Sequence, residues 1–247
     1  MGRLTTRLAA ACVMAGIVLG GAAALQADEP ELPVDQVEKI VRDYLLREPE
    51  IIYQALQELQ RRQAEAEAAR QRAAVAAHQS ELLEAPDNPV GGNPDGDVSL
   101  VEFFDYRCAY CRRVVSSMRT LLEEDRGLRV VFKELPVLGE DSVRAARAAL
   151  ASQSQGGYVP FHFALMAADD LSMKGIRRAA AAVGLDPDRL EADMSSPDVT
   201  AAIEANYQLA NRLGIEGTPA FVIGDQLIPG AVDKARLEQL IREARSG

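Results

Sequence analysis

Two cysteines in C-x-x-C spacing, Cys108-Ala109-Tyr110-Cys111, carry the clearest covalent chemistry in this 247-residue chain. Such a pair can close and reopen a disulfide. The other readings are a structural bridge or half of a zinc site. No second C-x-x-C exists, and His78 and His162 have no ligand spacing to the pair. The setting favours redox chemistry. Val98 to Phe104 is an apolar run that reads as a buried strand, and Val114, Val115, Met118, Leu121 and Leu122 then recur at helical intervals. Cys108 therefore stands where a strand hands over to a helix N-terminus. Unpaired N–H groups and the positive end of the helix dipole favour an anion there. A thiolate is that anion, so Cys108 is the expected attacking sulfur and Cys111, one turn on, its disulfide partner.

The elements that must position this pair can be read on both sides of it. Leu128 to Leu135 reads as a second strand ended by Pro136, and strand, helix, strand implies a right-handed parallel crossover. Ser142 to Ala151 is an alanine-rich helix. Phe161 to Ala167, Lys174 to Val183, Pro187 to Met194 and Asp198 to Leu213 continue as helices between glycine and proline breaks, an insertion over about 139–213. The chain then returns to strands at Ala220 to Ile223 and Gln226 to Ile228 around a Gly224-Asp225 turn, and ends in an amphipathic helix from Asp233. Glu102 lies on the strand before the cysteines among bulky apolar neighbours. It is either a buried carboxyl or a strand-edge surface group. Lys133, in the middle of the next strand, is a candidate charge partner for it. Arg107, Arg112 and Arg113 surround the motif, where their charge would favour a thiolate or simply solvate a helix start. Phe161, His162 and Phe163 read as packing within the insertion.

Upstream, the composition changes. Arg3 and Arg7 precede an apolar run from Leu8 to Leu19, with small-residue cleavage sites at Ala24 and Ala27, so residues 1–27 read as a secretory signal. A membrane anchor is the alternative, and the run sits at the short end of the ~17–25 residues a spanning helix needs. Loss of the signal would remove Cys12 and leave only the C-x-x-C pair in an oxidising compartment. Residues 28–84 read as a helical oligomerisation segment and stalk, with Asp28 to Pro33 a polar, proline-bounded lead-in. Asp35 is the expected N-cap of a first helix, whose Val37, Ile40, Val41, Tyr44 and Leu45 form one stripe; Ile52, Ala55, Leu56 and Leu59 form a second. Gln60 to Gln79, rich in Ala, Arg, Glu and Gln, is a helical stalk or linker. Two narrow stripes bury too little to stand alone, so they must pack on the rest of the chain or on identical segments. The breaker-dense Ala85 to Gly96 marks the domain boundary, giving a catalytic domain over 85–247. A net charge of −10 argues against a nucleic-acid partner.

Three motifs carry a family resemblance: Glu102-Phe103-Phe104 leading into Cys108-x-x-Cys111, Leu135-Pro136 before the alanine-rich helix, and Gly217-Thr218-Pro219-Ala220-Phe221. With this element order, the chain from Val98 to Arg245 resembles DsbA-type thiol–disulfide oxidoreductases. The resemblance implies an α/β thioredoxin-like fold with an inserted helical subdomain, behind an α-helical oligomerisation segment. It implies a cis peptide at Pro219, with Thr218 and Pro219 forming the loop that faces the redox pair and meets an extended substrate. It makes Glu102 an acidic residue beneath the redox helix that assists proton transfer. Val37 to Gln60, centred on Tyr44-Leu45-Leu46-Arg47-Glu48-Pro49-Glu50, resembles the N-terminal segment of ScsC-type proteins, which implies a homotrimer through residues 34–60 and a periplasmic location. The family often has Pro-His or Pro-Tyr between its cysteines. Ala109-Tyr110 stands there instead, and a strongly oxidising character is not carried over. Thr218 before the proline resembles the isomerase side of the family. The expected activity is thus disulfide isomerisation or reduction on misfolded, disulfide-containing exported proteins, reset by a membrane redox partner. It needs no cofactor beyond the Cys108–Cys111 disulfide and no metal. A dithiol oxidase is the near alternative, and a Cu(I)-binding protein linked to copper tolerance the distant one. Met166, Met173 and Met194 are too scattered for a copper site.

Overall fold

A computed structural model describes residues 33–86 and 88–246. The signal, its cleavage sites and Cys12 lie outside the described residues. By contact the chain divides into two compact units at Gln57/Glu58.

The first unit contains α1 (Val34–Arg47) and the start of α2 (Glu50–Ala77). Pro33, not Asp35, caps α1, and Asp35 sits in the first turn, where a carboxylate meets the positive end of the helix dipole. No residue of α1 is buried. Val37, Ile40, Val41, Tyr44, Ile52, Leu56 and Leu59 are all exposed. Both stripes found in the sequence are present and, Leu45 apart, exposed among the described residues.

The second unit is built on a five-stranded sheet. β1 (Val90–Gly92), β2 (Val98–Phe104), β3 (Leu128–Glu134), β4 (Ala220–Ile223) and β5 (Gln226–Pro229) lie in the order β1-β3-β2-β4-β5. The expected crossover is present: α4 (Ala109–Glu124) joins β2 to β3, which run parallel from Val98↔Leu128 to Phe104↔Glu134. β4 returns antiparallel against β2, and β5 folds back on β4. β1 lies inside the breaker-rich stretch and gives no alternating pattern in three residues. Its pairing with β3, Val90↔Val131 to Gly92↔Arg129, makes it a strand. Gly92 has a φ of 77°, and a Cβ there would collide with the Leu128 carbonyl.

The sheet buries both faces. Leu100, Phe104, Val130, Phe132, Phe221 and Ile223 meet Val114, Met118 and Leu121 of α4, together with α10 (Lys234–Ser246) and the insertion. The insertion holds α5 (Glu140–Ala151), a 3₁₀ turn, α6 (Tyr158–Ala167), α7 (Met173–Ala182), α8 (Pro187–Asp193) and α9 (Pro197–Arg212). On the opposite face Val101, Phe103, Val131 and Val222 are covered by Leu209 and Leu213, by Val75 near the end of α2, and by Leu82 of α3 (Gln79–Leu83). This second core reaches upstream of Ala85, because two helices are needed to keep water off that side of the sheet.

Candidate active site

β2 ends at Phe104, a tight turn follows, and Cys108 occupies the N-cap of α4 with extended backbone angles. Asp105 builds the turn. Its buried carboxylate accepts from the Arg107 N–H (2.7 Å), the Ser142 hydroxyl (2.7 Å) and the Leu138 N–H (3.0 Å), tying the cysteine loop to the start of the insertion. Cys108 is 6% exposed and its thiol donates to the Thr218 carbonyl at 3.2 Å. Cys111 is one turn further on and fully covered. Both are free thiols. Burial pushes the Cys111 thiol well above its ordinary range, and Glu102 and Cys108, when ionised, push it further, against a backbone hydrogen bond involving Asp105. Of the residues between them, Ala109 opens α4 and Tyr110 is exposed, with the Arg113 guanidinium 5.0 Å from its ring centre.

Thr218-Pro219 is cis, as expected. The Pro219 carbonyl accepts from the Gly230 N–H at 2.8 Å, which anchors the loop on the turn after β5. A groove of about 660 Å³ opens along Gly214–Ala220, with Tyr110 on its edge.

Glu102 is buried, on the face of the sheet that meets α4: it pairs with Phe132 and Phe221, whose side chains share that core. Burial pushes its carboxyl up to about 8. Lys133 is not its partner. Lys133 pairs in register with Phe103, so the two-residue repeat of a strand sends it to the opposite face. There its ammonium donates to the Glu81 carbonyl (2.7 Å) and to Asn88 Oδ1 (2.6 Å), fastening the end of α3 to the sheet. Burial pushes Lys133 down to about 8.

Arg107 and Arg112 hold backbone carbonyls, while Arg113 lies over Tyr110. Arg112 donates to the Tyr106 and Ala168 carbonyls at 2.8 and 2.7 Å, and Arg107 to the Leu138 carbonyl at 3.3 Å.

Sequence reasoning missed a buried polar cluster under the loop. Glu134 Oε1 accepts from the hydroxyls of Tyr106 (2.9 Å) and Tyr158 (2.7 Å), and His162 Nδ1 lies 3.1 Å from Tyr106 Oη. Burial raises the Glu134 carboxyl well above its ordinary value and lowers His162 to about 3, so both are neutral. With its proton directed at Glu134, Tyr106 accepts from His162, which assigns the Nδ1–H tautomer. His162 does pack inside the insertion as its aromatic neighbours suggest. The one available signal for the rest was Glu134 at the end of a strand dominated by Val130, Val131 and Phe132. Among the described residues, no group of three or more His, Cys, Asp or Glu side chains is arranged to hold a metal ion.

Comparison with known proteins accounts for this arrangement. A DSBA-like thioredoxin domain matches residues 99–242, and a Copper resistance protein ScsC N-terminal domain matches residues 34–66. A thioredoxin-like oxidoreductase from Silicibacter pomeroyi DSS-3 is 46% identical, covering 68% of this chain and 98% of its own, with a TM-score of 0.66. A linker-deletion mutant of Proteus mirabilis ScsC is 30% identical, covering 92% and 99%, with a TM-score of 0.67. A periplasmic thioredoxin-like protein from Salmonella enterica serovar Typhimurium is 32% identical, covering 68% and 96%, with a TM-score of 0.63. The chain spans only about a quarter of the length of the first curated relatives it matches, such as the Na(+)/H(+) antiporter NhaA of Herminiimonas arsenicoxydans, where the match covers 28% of that protein. With a buried C-x-x-C at the head of α4, a cis-proline loop on its sulfur and this sheet order, the chain belongs to the DsbA-like thioredoxin family and carries the N-terminal domain of its ScsC-type members.

Proposed function

We propose that the chain is a periplasmic thiol–disulfide oxidoreductase that isomerises and reduces disulfides of exported proteins, working as a homotrimer. The observation that carries the chemistry is the meeting of three groups: Cys108 at a helix N-terminus, Cys111 one turn behind it, and the Thr218 carbonyl 3.2 Å from the Cys108 sulfur. The Cys108 thiolate attacks one sulfur of a substrate disulfide. The substrate S–S bond breaks, a Cys108–substrate bond forms, and the leaving sulfur takes up a proton. If a second substrate thiol then attacks the mixed disulfide, the substrate is rearranged and the dithiol returns, with no net electron transfer. If Cys111 attacks Cys108 instead, the Cys108–Cys111 bond forms and the substrate leaves reduced by two electrons. The oxidised pair then needs a dithiol partner, of the membrane-bound class, to restore it.

Burial of Cys111 supports the isomerase direction. Burial disfavours the Cys111 thiolate that self-resolution needs, which leaves substrate thiols to compete for the mixed disulfide. Glu102, poised near neutral pH, is the group suited to take the Cys111 proton. Export is supported by the charged and then apolar stretch at the N-terminus, and by the Salmonella protein's description as periplasmic. Trimer formation is supported by the uncovered stripes of the first unit and the ScsC N-terminal match over 34–66.

The test is reactivation of a scrambled multi-disulfide protein in redox buffer, with solution mass from light scattering. Cys108→Ser is expected to fall to background. The Ile40→Glu/Leu56→Glu double variant is expected to become monomeric and to lose unscrambling while still reducing disulfides. A monomeric wild type, or a monomeric variant that unscrambles as well as wild type, would refute the trimeric isomerase. A wild type with no disulfide exchange at all would refute the activity.

A further inference from the structure

The last part of α2 docks on the second unit by one face. Ala68, Gln71, Ala74, Val75 and His78 are partly or fully buried, at spacings of three and four, while Arg70, Arg72 and Ala73 between them are exposed. Val75 anchors this face in the core beside Leu82 and Val222. One turn earlier, the same face reaches the groove beside the cis-proline loop. Glu67 and Gln71 of α2, Tyr110 and Arg113 of α4, and the apolar Pro219 and Leu227 line it together. Thr218 also lines the groove, and its carbonyl accepts from the Cys108 thiol, so the groove runs beside the loop that holds the reacting sulfur.

Gln71 stands out among these residues. Glu67 is already bonded to Arg70 at 2.7 Å, and Arg113 lies over Tyr110. The Gln71 carboxamide is half-buried and has no hydrogen-bond partner among the described residues. A carboxamide offers an acceptor and donors together, which matches the N–H and C=O of one peptide unit. An extended segment lying in the groove would present such units to α2 and an apolar side chain to Pro219 and Leu227.

We infer that α2 is the outer wall of the substrate groove, and that Gln71 binds the main chain of an extended, unfolded polypeptide with an apolar residue beside its bridged cysteine. This rests on the disulfide-exchange reading above. It makes Gln71 a specificity-determining residue: it acts on polypeptide disulfides and has little to hold in a small one.

The test compares two disulfides on the full-length protein, wild type and variants. One is a ten-residue peptide with a single cysteine, flanked by leucine, disulfide-bonded to a fluorescent thiol. The other is 2-hydroxyethyl disulfide. The quantity read is the ratio of the two kcat/KM values. Loss of one hydrogen bond in Gln71→Ala is expected to lower that ratio about 3- to 10-fold, mainly through KM for the peptide. Gln71→Trp, which keeps the helix but fills the groove, is expected to lower it at least as far. Thermal denaturation confirms that the variants fold. An unchanged ratio in both variants, or equal losses on both substrates, would overturn the inference while leaving disulfide exchange in place. A wild type inert to both disulfides would overturn the functional reading, and this inference with it.

Discussion

Two carboxyls lie buried below the cysteine loop, and their surroundings divide their tasks. Glu134 is held by two tyrosine hydroxyls and stays neutral. Each of the two carboxyls keeps one oxygen with no hydrogen-bond partner among the described residues, and Glu102, once ionised, pushes the Cys111 thiol up. The folded chain keeps a proton on Glu102 up to about 8, against an ordinary value of 4.5. Between those values the unfolded chain binds fewer protons, so this group's contribution to stability is full below the lower value and is lost as pH rises through about 8. Glu102→Gln should therefore gain stability relative to wild type as pH goes from 5 to 8, read by urea denaturation. If Glu102 takes the Cys111 proton, the same variant should lengthen the lifetime of a trapped mixed disulfide on the order of a hundredfold. An unchanged lifetime would assign that proton to solvent. Tyr106→Phe should behave differently. It removes one of two donors to a buried carboxyl and strands the His162 N–H. The expected loss is about 1–3 kcal/mol of stability, with little change in the pH profile of exchange.

At the scale of elements, the redox loop and the sheet's far face are set by separate ties. Asp105 joins the loop after β2 to the start of α5 through Leu138 and Ser142. Lys133 joins β3 to the end of α3. Lys133→Met keeps the stem and removes the ammonium. It should destabilise the fold by about 1–3 kcal/mol, because the Glu81 carbonyl and Asn88 lose a buried partner. Hydrogen exchange should show the opening confined to α3 and β1, and the pH profile of disulfide exchange should not move. A shifted profile would restore the Glu102–Lys133 pairing that the strand register excludes. The element types themselves were legible. β2, α4, β3 and the helices of the insertion lie within three residues of where hydrophobic periodicity and Gly/Pro breaks put them. The strand Val90–Gly92 was not, because three residues with two glycines carry no period, and only pairing with β3 makes them a strand.

For the whole molecule, the decisive feature is apolar surface left over. α1 buries nothing, and Ile40, Tyr44, Ile52 and Leu56 remain exposed. Exposed stripes of this kind call for a partner of matching shape, and the proposed homotrimer would supply identical segments. Dilution should then lower the mass of the full chain in analytical ultracentrifugation. The Ile40→Glu/Leu56→Glu variant should stay monomeric at every concentration, with Cys108 reactivity unaltered. A mass independent of both concentration and substitution would leave the stripes without the role proposed for them.

The sequence alone determined what is local. A strand followed by C-x-x-C and a helical repeat dictates a cysteine at a helix N-terminus, whatever the rest of the chain does. The amphipathic stripes of α1 and α2 are equally local, and so is the proline that must end β3. Tertiary structure decided what depends on side chains distant in sequence. It sent Glu102 and Lys133 to opposite faces, because parity within a parallel pair is set by register. It brought Thr218 to Cys108 across 110 residues. It gathered Tyr106, Glu134, Tyr158 and His162 into one dry cluster, where burial rather than residue type sets their charge. It also laid Gln71, an ordinary residue of a polar helix, along the groove beside the cis-proline loop. Periodicity reports which face of an element is apolar; only packing decides what that face meets.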